Sequence, residues 1–275
     1  MSKVIVITGL AQGMGNHAAK MLAKKGHIIA GFDVDEEGII SLKKDLDNFN
    51  SRYFINVLDI TDREGIVRFK DLTLEKFGKV DAVLSNVGIG FFGPFEDIDL
   101  EKALKCLEIN VIGTAAVFQA FIPSMRKNGC GKLIAMSSLV GQIPFPFESI
   151  YTASKFAVEG LVESIKYEVE PFGIKAALIE PAQVSTDFAA KIHKLPPEGS
   201  PYRKRIQRFI NRDRELIKTA PTPENAAKSI VKVVLSENPK FRNQVDFLSA
   251  FFLLLNKILP KSIRDIILLR HMDIK

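Results

Sequence analysis

Six short apolar runs alternate with longer amphipathic segments, and this alternation narrows the folds open to the chain more than any other feature. The runs are KVIVIT (3–8), HIIAGF (27–32), RYFINV (52–57), VDAVLS (80–85), KLIAMS (132–137) and IKAALIE (174–180). Helical patterns fall near 13–25, 36–48, 62–77, 99–127, 150–171 and 223–236. Strand followed by helix at this spacing predicts one parallel sheet with helices on both faces. Several runs carry Val, Ile, Leu and Ala on consecutive positions, as strands buried on both sides require.

No linker interrupts the pattern. Residues 1–246 read as one domain, with 186–220 as an insertion after the sixth run, and 247–275 as a helical extension of the same domain. KLPPEGSP (194–201) is a loop by its Pro and Gly content. In TAPTPEN (219–225), Thr222 is placed to cap a helix whose first residue is Pro223. At 275 residues and 47% apolar content the chain can fill a substantial core. Its two cysteines form no CxxC pair and its four histidines are scattered, so neither a disulfide framework nor a metal site is expected. The net charge of +6 permits anionic contacts without pointing to nucleic acid. Much of the excess lies in RKRIQRFINRDRELIK (203–218), most simply a solvated helix face. The opening MSKVIVITGL is a strand and turn rather than a signal peptide, so a cytoplasmic protein is expected.

The first run passes directly into TGLAQGMG and then a helix. Gly9, Gly13 and Gly15 let the backbone turn tightly and approach a pyrophosphate, which the helix N-terminus attracts. A glycine triplet at this point of a strand–helix unit predicts dinucleotide binding. The expected fold class is therefore α/β, a single Rossmann-type doubly wound parallel sheet with a C-terminal helical extension. Asp33 ends the second run, where a carboxylate can accept from the ribose hydroxyls and repel a 2′-phosphate. Neither Gln12 nor Val34 supplies a cation for such a phosphate, so NAD is the expected cofactor. Asp35 reads as the cap of the next helix.

YTASK places Tyr151 and Lys155 one helical turn apart on one face. A free phenol is a poor base at neutral pH. A nearby ammonium and an oxidised nicotinamide both favour the phenolate, making an acid/base suited to hydride transfer at a carbonyl.

Taken in order, TGLAQGMG, LDIT, SNVG, EINVIG, SSLVG, YTASK and IEPAQVST make the chain resemble the short-chain dehydrogenase/reductase family over about Lys3 to Pro223. GFFGPFED and SKFAVEGL resemble its retinol- and hydroxysteroid-dehydrogenase-like branch. The resemblance implies that Tyr151 is the catalytic acid/base and that Lys155 lowers its pKa and binds the nicotinamide ribose. It implies that Ser138 holds the substrate oxygen and that Asn110 holds a water in a relay through Lys155. It further implies cofactor contacts from Gly9, Gly13, Met14, Gly15, Asp33, Asp59, Ile60, Asn86, Gly88, Pro181, Val184 and Thr186, besides Tyr151 and Lys155. Asp59 would meet the adenine and Thr186 the carboxamide. The chain departs from the family pattern at Ser85 and Val87, and at Ala182 and Gln183 after Pro181.

Phe91, Phe92, Phe95, Phe145 and Phe147 lie in the loops that would face the ligand, so a hydrophobic alcohol or ketone is the expected substrate. The tail holds AFFLLL, too short to span a bilayer. Two amphipathic helices broken at Pro260 are expected there, covering the pocket or a subunit interface, or lying on a membrane surface. A homodimer or homotetramer is the family expectation. Two other readings are weighed against this one. A sugar-nucleotide epimerase is disfavoured by the TGxxxGxG spacing and the modest length, and an NAD-binding sensor or scaffold without turnover by the intact Ser138, Tyr151 and Lys155.

Overall fold

The computed structural model describes residues 2–185, Pro196 and 198–275. Seven strands form one parallel sheet in the order β3-β2-β1-β4-β5-β6-β7. They are β1 (Val4–Thr8), β2 (Ile28–Asp33), β3 (Tyr53–Val57), β4 (Ala82–Ser85), β5 (Gly131–Met136), β6 (Ile174–Glu180) and β7 (Arg242–Gln244). The chain order reverses between β1 and β4, which opens a crevice at the carboxyl ends of those strands.

Alternate residues of each strand enter different cores. Ile5 and Ile7 face one side, with α1 (Gly13–Lys24), α2 (Glu36–Asn48) and the helix after Thr222. Val4 and Val6 face the other, with α3 (Arg63–Phe77) and the long helices before and after β5. Helix starts are written locally: Asp35 accepts from Gly38 N at 3.0 Å and Asp62 from Gly65 N at 2.8 Å. Thr222 accepts from Asn225 N at 3.2 Å, with Pro223 opening its helix as expected.

The pattern at 99–127 predicts one helix, but the structure divides it. α4 (Leu100–Leu107) passes through a π-helical turn (Glu108–Ile112) into α5 (Gly113–Asn128). Leu100–Asn128 is long and apolar enough to cross a membrane, yet Val117, Phe118, Phe121 and Met125 are fully buried against the sheet. Burying each such ring stabilises the fold by roughly 2–3 kcal/mol. α6 (Ser149–Val169) carries the YTASK segment.

α7 (Arg203–Thr219) is less solvated than its charge suggests. It buries Ile206, Phe209, Ile210 and Asp213 along one stripe while Lys204, Arg205 and Arg208 face out. α8 (Pro223–Leu235) packs on α1. α9 (Phe247–Ile258) and α10 (Lys261–His271) follow, separated at Pro260.

β7 has no apolar signature and the sequence pattern misses it. Its reason lies elsewhere in the chain: Arg242 meets Glu159 Oε2 at 3.0 Å, Glu163 Oε2 at 2.9 Å and Glu180 Oε1 at 3.5 Å. Glu180 is fully buried at the end of β6 and also accepts from Gln142 and Gln244. Burial first, then the charge of Glu159, raises its pKa to about 7. Removing a cation from such a group leaves buried carboxylates uncompensated. Arg242→Ala should therefore lower stability in urea unfolding by about 3 kcal/mol, with Arg242→Lys recovering part of the loss.

Candidate active site

The turn after β1 is shaped for a close visitor. Gly9 and Gly13 have φ of +68° and +60°, a region that disfavours a side chain. A Cβ on Gly15 would lie 2.2 Å from the Gly9 carbonyl oxygen and 2.6 Å from Asn86 Nδ2. Asn86 explains that crowding: its Nδ2 donates to Gly9 O at 2.8 Å and Thr8 O at 3.2 Å, tying the end of β4 to the turn. Gln12 at the start of α1 makes no side-chain cap, so the first N–H groups of that helix point to the crevice uncapped. Met14 lies in the first turn of α1, partly buried against the core. This cradle fits the pyrophosphate of a dinucleotide. Asp33 closes its far side, accepting from Ala11 N at 2.9 Å and Asp35 N at 3.1 Å. Its carboxylate therefore holds the turn as well as standing where a ribose would lie.

Asn110 sits on the π turn and is 1% exposed. Its Nδ2 donates to Ile89 O at 2.8 Å and Ser154 Oγ at 2.9 Å, and its Oδ1 accepts from Ile89 N at 2.8 Å. Ser154 in turn donates to Tyr151 O at 2.7 Å. One amide thus ties the loop after β4 to the helix that carries the tyrosine. Both of its amide hydrogens are engaged, so the side chain holds its neighbours in place. Cys106 completes the contact, donating to Ile89 O at 3.4 Å. Burial pushes its thiol above the ordinary range. Gly88 faces the group: a Cβ there would stand 3.4 Å from Lys155 Nζ and 3.5 Å from Asn110 Oδ1, in ordinary contact.

Ser138 follows β5, donating to Pro181 O at 3.4 Å and accepting from Val140 N at 3.3 Å. The Ser138 hydroxyl lies near enough to the Tyr151 phenol to lower its pKa. Ser137 instead continues the strand edge, donating from its backbone to Ile179 O at 2.8 Å. Lys155 is 3% exposed, donates to Met136 O at 2.8 Å and stands 5.7 Å from the Tyr151 ring centre. Burial lowers its pKa to about 8. The electrostatic balance at Tyr151 differs from the sequence expectation. Burial, then the charge of Glu148, holds the phenol above its usual range, and the Ser138 hydrogen bond pulls it down. The lysine, itself weakened as a cation by burial, does not bring the phenol back down.

Ser138, Tyr151, Lys155, Asn110 and Gly88 are thus gathered beside the dinucleotide cradle. The model for short chain dehydrogenases matches residues 3–196. The chain belongs to the short-chain dehydrogenase family. It is 30% identical over 245 residues to the 3-ketodihydrosphingosine reductase of Bacteroides thetaiotaomicron, covering 88% of this chain and 87% of that protein. It is 29% identical over 251 residues to human 17-beta-hydroxysteroid dehydrogenase type 1, covering 87% and 76% respectively. A solved short-chain dehydrogenase from Streptomyces avermitilis superposes with a TM-score of 0.80 at 28% identity, covering 99% of this chain and 96% of that one. The family consists of oxidoreductases that use nicotinamide cofactors.

The remaining residues that the sequence singles out are placed as follows in this dehydrogenase. Asp59 is exposed and uses Oδ1 to accept from Thr61 N and Oγ1, both at 2.9 Å. Ile60 is buried over Gly113, which leaves its backbone rather than its side chain to meet a ligand. The Pro181 carbonyl receives Leu139 N at 2.8 Å besides the serine, and Val184 is buried just beyond. Thr186 lies outside the described residues.

The sequence reading missed Glu148. It is buried three residues before Tyr151, and burial, then the charge of Asp213, raises its pKa to about 8. Its only sequence signal is a lone acid inside the apolar run PFPFES. Of the loop phenylalanines, Phe92, Phe145 and Phe147 pack around Phe209 of α7, while Phe95 is 67% exposed. Beyond Ser138 lies an apolar cleft, open to solvent and lined by Leu139, Phe145, Gln183 and one face of α9 and α10.

The burial of Lys155 carries a pH signature. Below about pH 8 the folded chain holds an ammonium in an apolar setting, which costs stability. As pH rises through about 8 that proton leaves the folded state, while an unfolded lysine near 10.4 keeps it. The stability of the parent chain minus that of Lys155→Met should therefore rise by roughly 2 kcal/mol between pH 7 and 9.5, read by urea unfolding at the two pH values.

Proposed function

We propose that the chain transfers a hydride between NAD and a lipophilic primary or secondary alcohol or the matching carbonyl, with Tyr151 as acid/base. The observation that carries this reading is the gathering of Ser138, Tyr151 and Lys155 beside the glycine cradle, with an apolar cleft beginning at the next residue, Leu139. A bound nicotinamide supplies or accepts the hydride. Ser138 orients the substrate oxygen and Tyr151 exchanges a proton with it. Lys155 binds the nicotinamide ribose through its ammonium, and Asn110 fixes the distance between the loop after β4 and the helix of Tyr151. Tyr151, held high by burial, would be brought toward a working range by the positive charge of an oxidised nicotinamide when one is bound.

The preference for NAD rests on Asp33, whose charge opposes a 2′-phosphate. The lipophilic substrate rests on the cleft lining, and the names of the two curated relatives agree with it. Cys106 and Cys130 are both free thiols, which suits a reducing cytoplasmic compartment. A homo-oligomer is in keeping with the family.

Titration followed by reduced-nicotinamide fluorescence should give NADH at least about tenfold tighter binding than NADPH. Asp33→Asn keeps an acceptor for Ala11 N–H, removes the charge, and should narrow that gap. Equal or inverted affinities in the parent chain would overturn the NAD assignment. Tyr151→Phe should lower turnover of lipophilic alcohols about a hundredfold or more while NADH binding persists. Turnover unchanged in that variant would remove Tyr151 from the chemistry.

A further inference from the structure

α9 and α10 are apolar on two faces at once. One face, with Phe252, Leu255, Leu259 and Ile267, lines the cleft. On the adjacent, outward-turned stripe Phe251, Leu254, Ile258, Ile263 and Ile266 are between 43% and 64% exposed. Positions 251, 254 and 258 share one side of α9, and 263 and 266 one side of α10. The outer stripe is apolar surface left without a partner, flanked by polar side chains. The pair is also stitched into one unit rather than trailing from the domain. Arg264 Nη1 donates to Asn256 O at 2.9 Å and Oδ1 at 2.6 Å, and Asn256 Nδ2 donates to Gln142 O at 3.3 Å.

The rim of this outward face is basic. Lys257, Lys261 and Arg270 are exposed around it. Lys261 pairs with Asp265 at 2.9 Å, and Asp273 is the other acid of the two-helix unit. The basic stripe of α7 adjoins it, because Arg205 and Arg212 of that helix donate to Ile274 O at 3.1 Å and His271 O at 2.9 Å. Lys204, Arg205 and Arg208 thereby extend the same cationic border. A second copy seated face to face would set these cations against their own equivalents, whereas an anionic bilayer complements them.

We propose that the outward face of α9 and α10 docks on an anionic phospholipid surface, with the exposed cations of α7 and of the tail on the headgroups. The apolar side chains would sit at the headgroup–acyl boundary. The cleft on the inner face of the same helices would then adjoin the bilayer, so a lipophilic compound could pass between them with little exposure to water. The two parts of the sequence left without a role, 203–218 and the apolar tail, become one surface.

Flotation with vesicles tests this on the full chain, without any need for turnover. With roughly one-third phosphatidylglycerol in phosphatidylcholine, at about 0.15 M salt, the protein should float with the lipid. Pure phosphatidylcholine, or about 0.5 M salt, should reduce partitioning at least about tenfold. Leu254→Ser combined with Ile258→Ser should lower it by a similar factor. An unchanged unfolding midpoint and unchanged NADH affinity would show that this variant is folded. The proposal is overturned if the parent chain fails to float, if it floats equally well on both lipids, or if the double variant floats as well as the parent. It is also overturned if sedimentation shows the parent to be a dimer that does not float and the double variant a monomer, which would make the face a subunit interface.

Discussion

The amide of Asn110 is the contact on which the rest of the site depends. Three segments distant in sequence, the loop after β4, the π turn and α6, converge on one side chain whose hydrogens both have partners. A buried amide is tolerated only when so satisfied, and removing it would leave Ile89 N–H, Ile89 C=O and Ser154 Oγ to find other partners. The π turn follows from this demand. A regular α-helix through 108–112 would aim position 110 elsewhere, and the wider turn rotates it into the gap. Gly113 then leaves space for Ile60 to pack against the turn.

Electrostatics at the site are set by burial more than by pairing. Tyr151 and Glu148 are pushed toward their neutral forms and Lys155 toward its free amine. The phenol is thereby moved away from neutral pH, while Glu148 and Lys155 are moved toward it. Asp33 is used twice over, since the hydrogen bonds that lock the glycine turn also fix the carboxylate beside the cradle. The proposed preference for NAD and the geometry of the turn would therefore rest on one residue.

Much of the fold was legible because its signals are local. β1 to β6 read directly from runs of Val, Ile, Leu and Ala, and the caps at Asp35 and Thr222 from single residues. The π turn was not legible, because EINVIG continues a helical pattern and its reason is a loop twenty residues earlier in the chain. β7 was not legible because RNQ pairs with acids on α6 and β6 rather than following a strand pattern. α7 was half legible: its charges mark the outer face, while Ile206, Phe209, Ile210 and Asp213 repeat at helical spacing inside the same stretch. In the site, the positions of Ser138, Tyr151 and Lys155 came from the motif order. The balance that sets the phenol's acidity did not, since it arises from burial and from Glu148, which no motif contains.

Cys106 gives the chain a built-in reporter. Its thiol is buried against Ile89 and Asn110 and held above the ordinary range, whereas Cys130 is exposed at the start of β5. Alkylating reagents meet Cys130 in the closed molecule but reach Cys106 only when the Asn110 contact parts. The ratio of the two labelling rates is then a clock for the opening of the catalytic scaffold, set by residues the protein already carries.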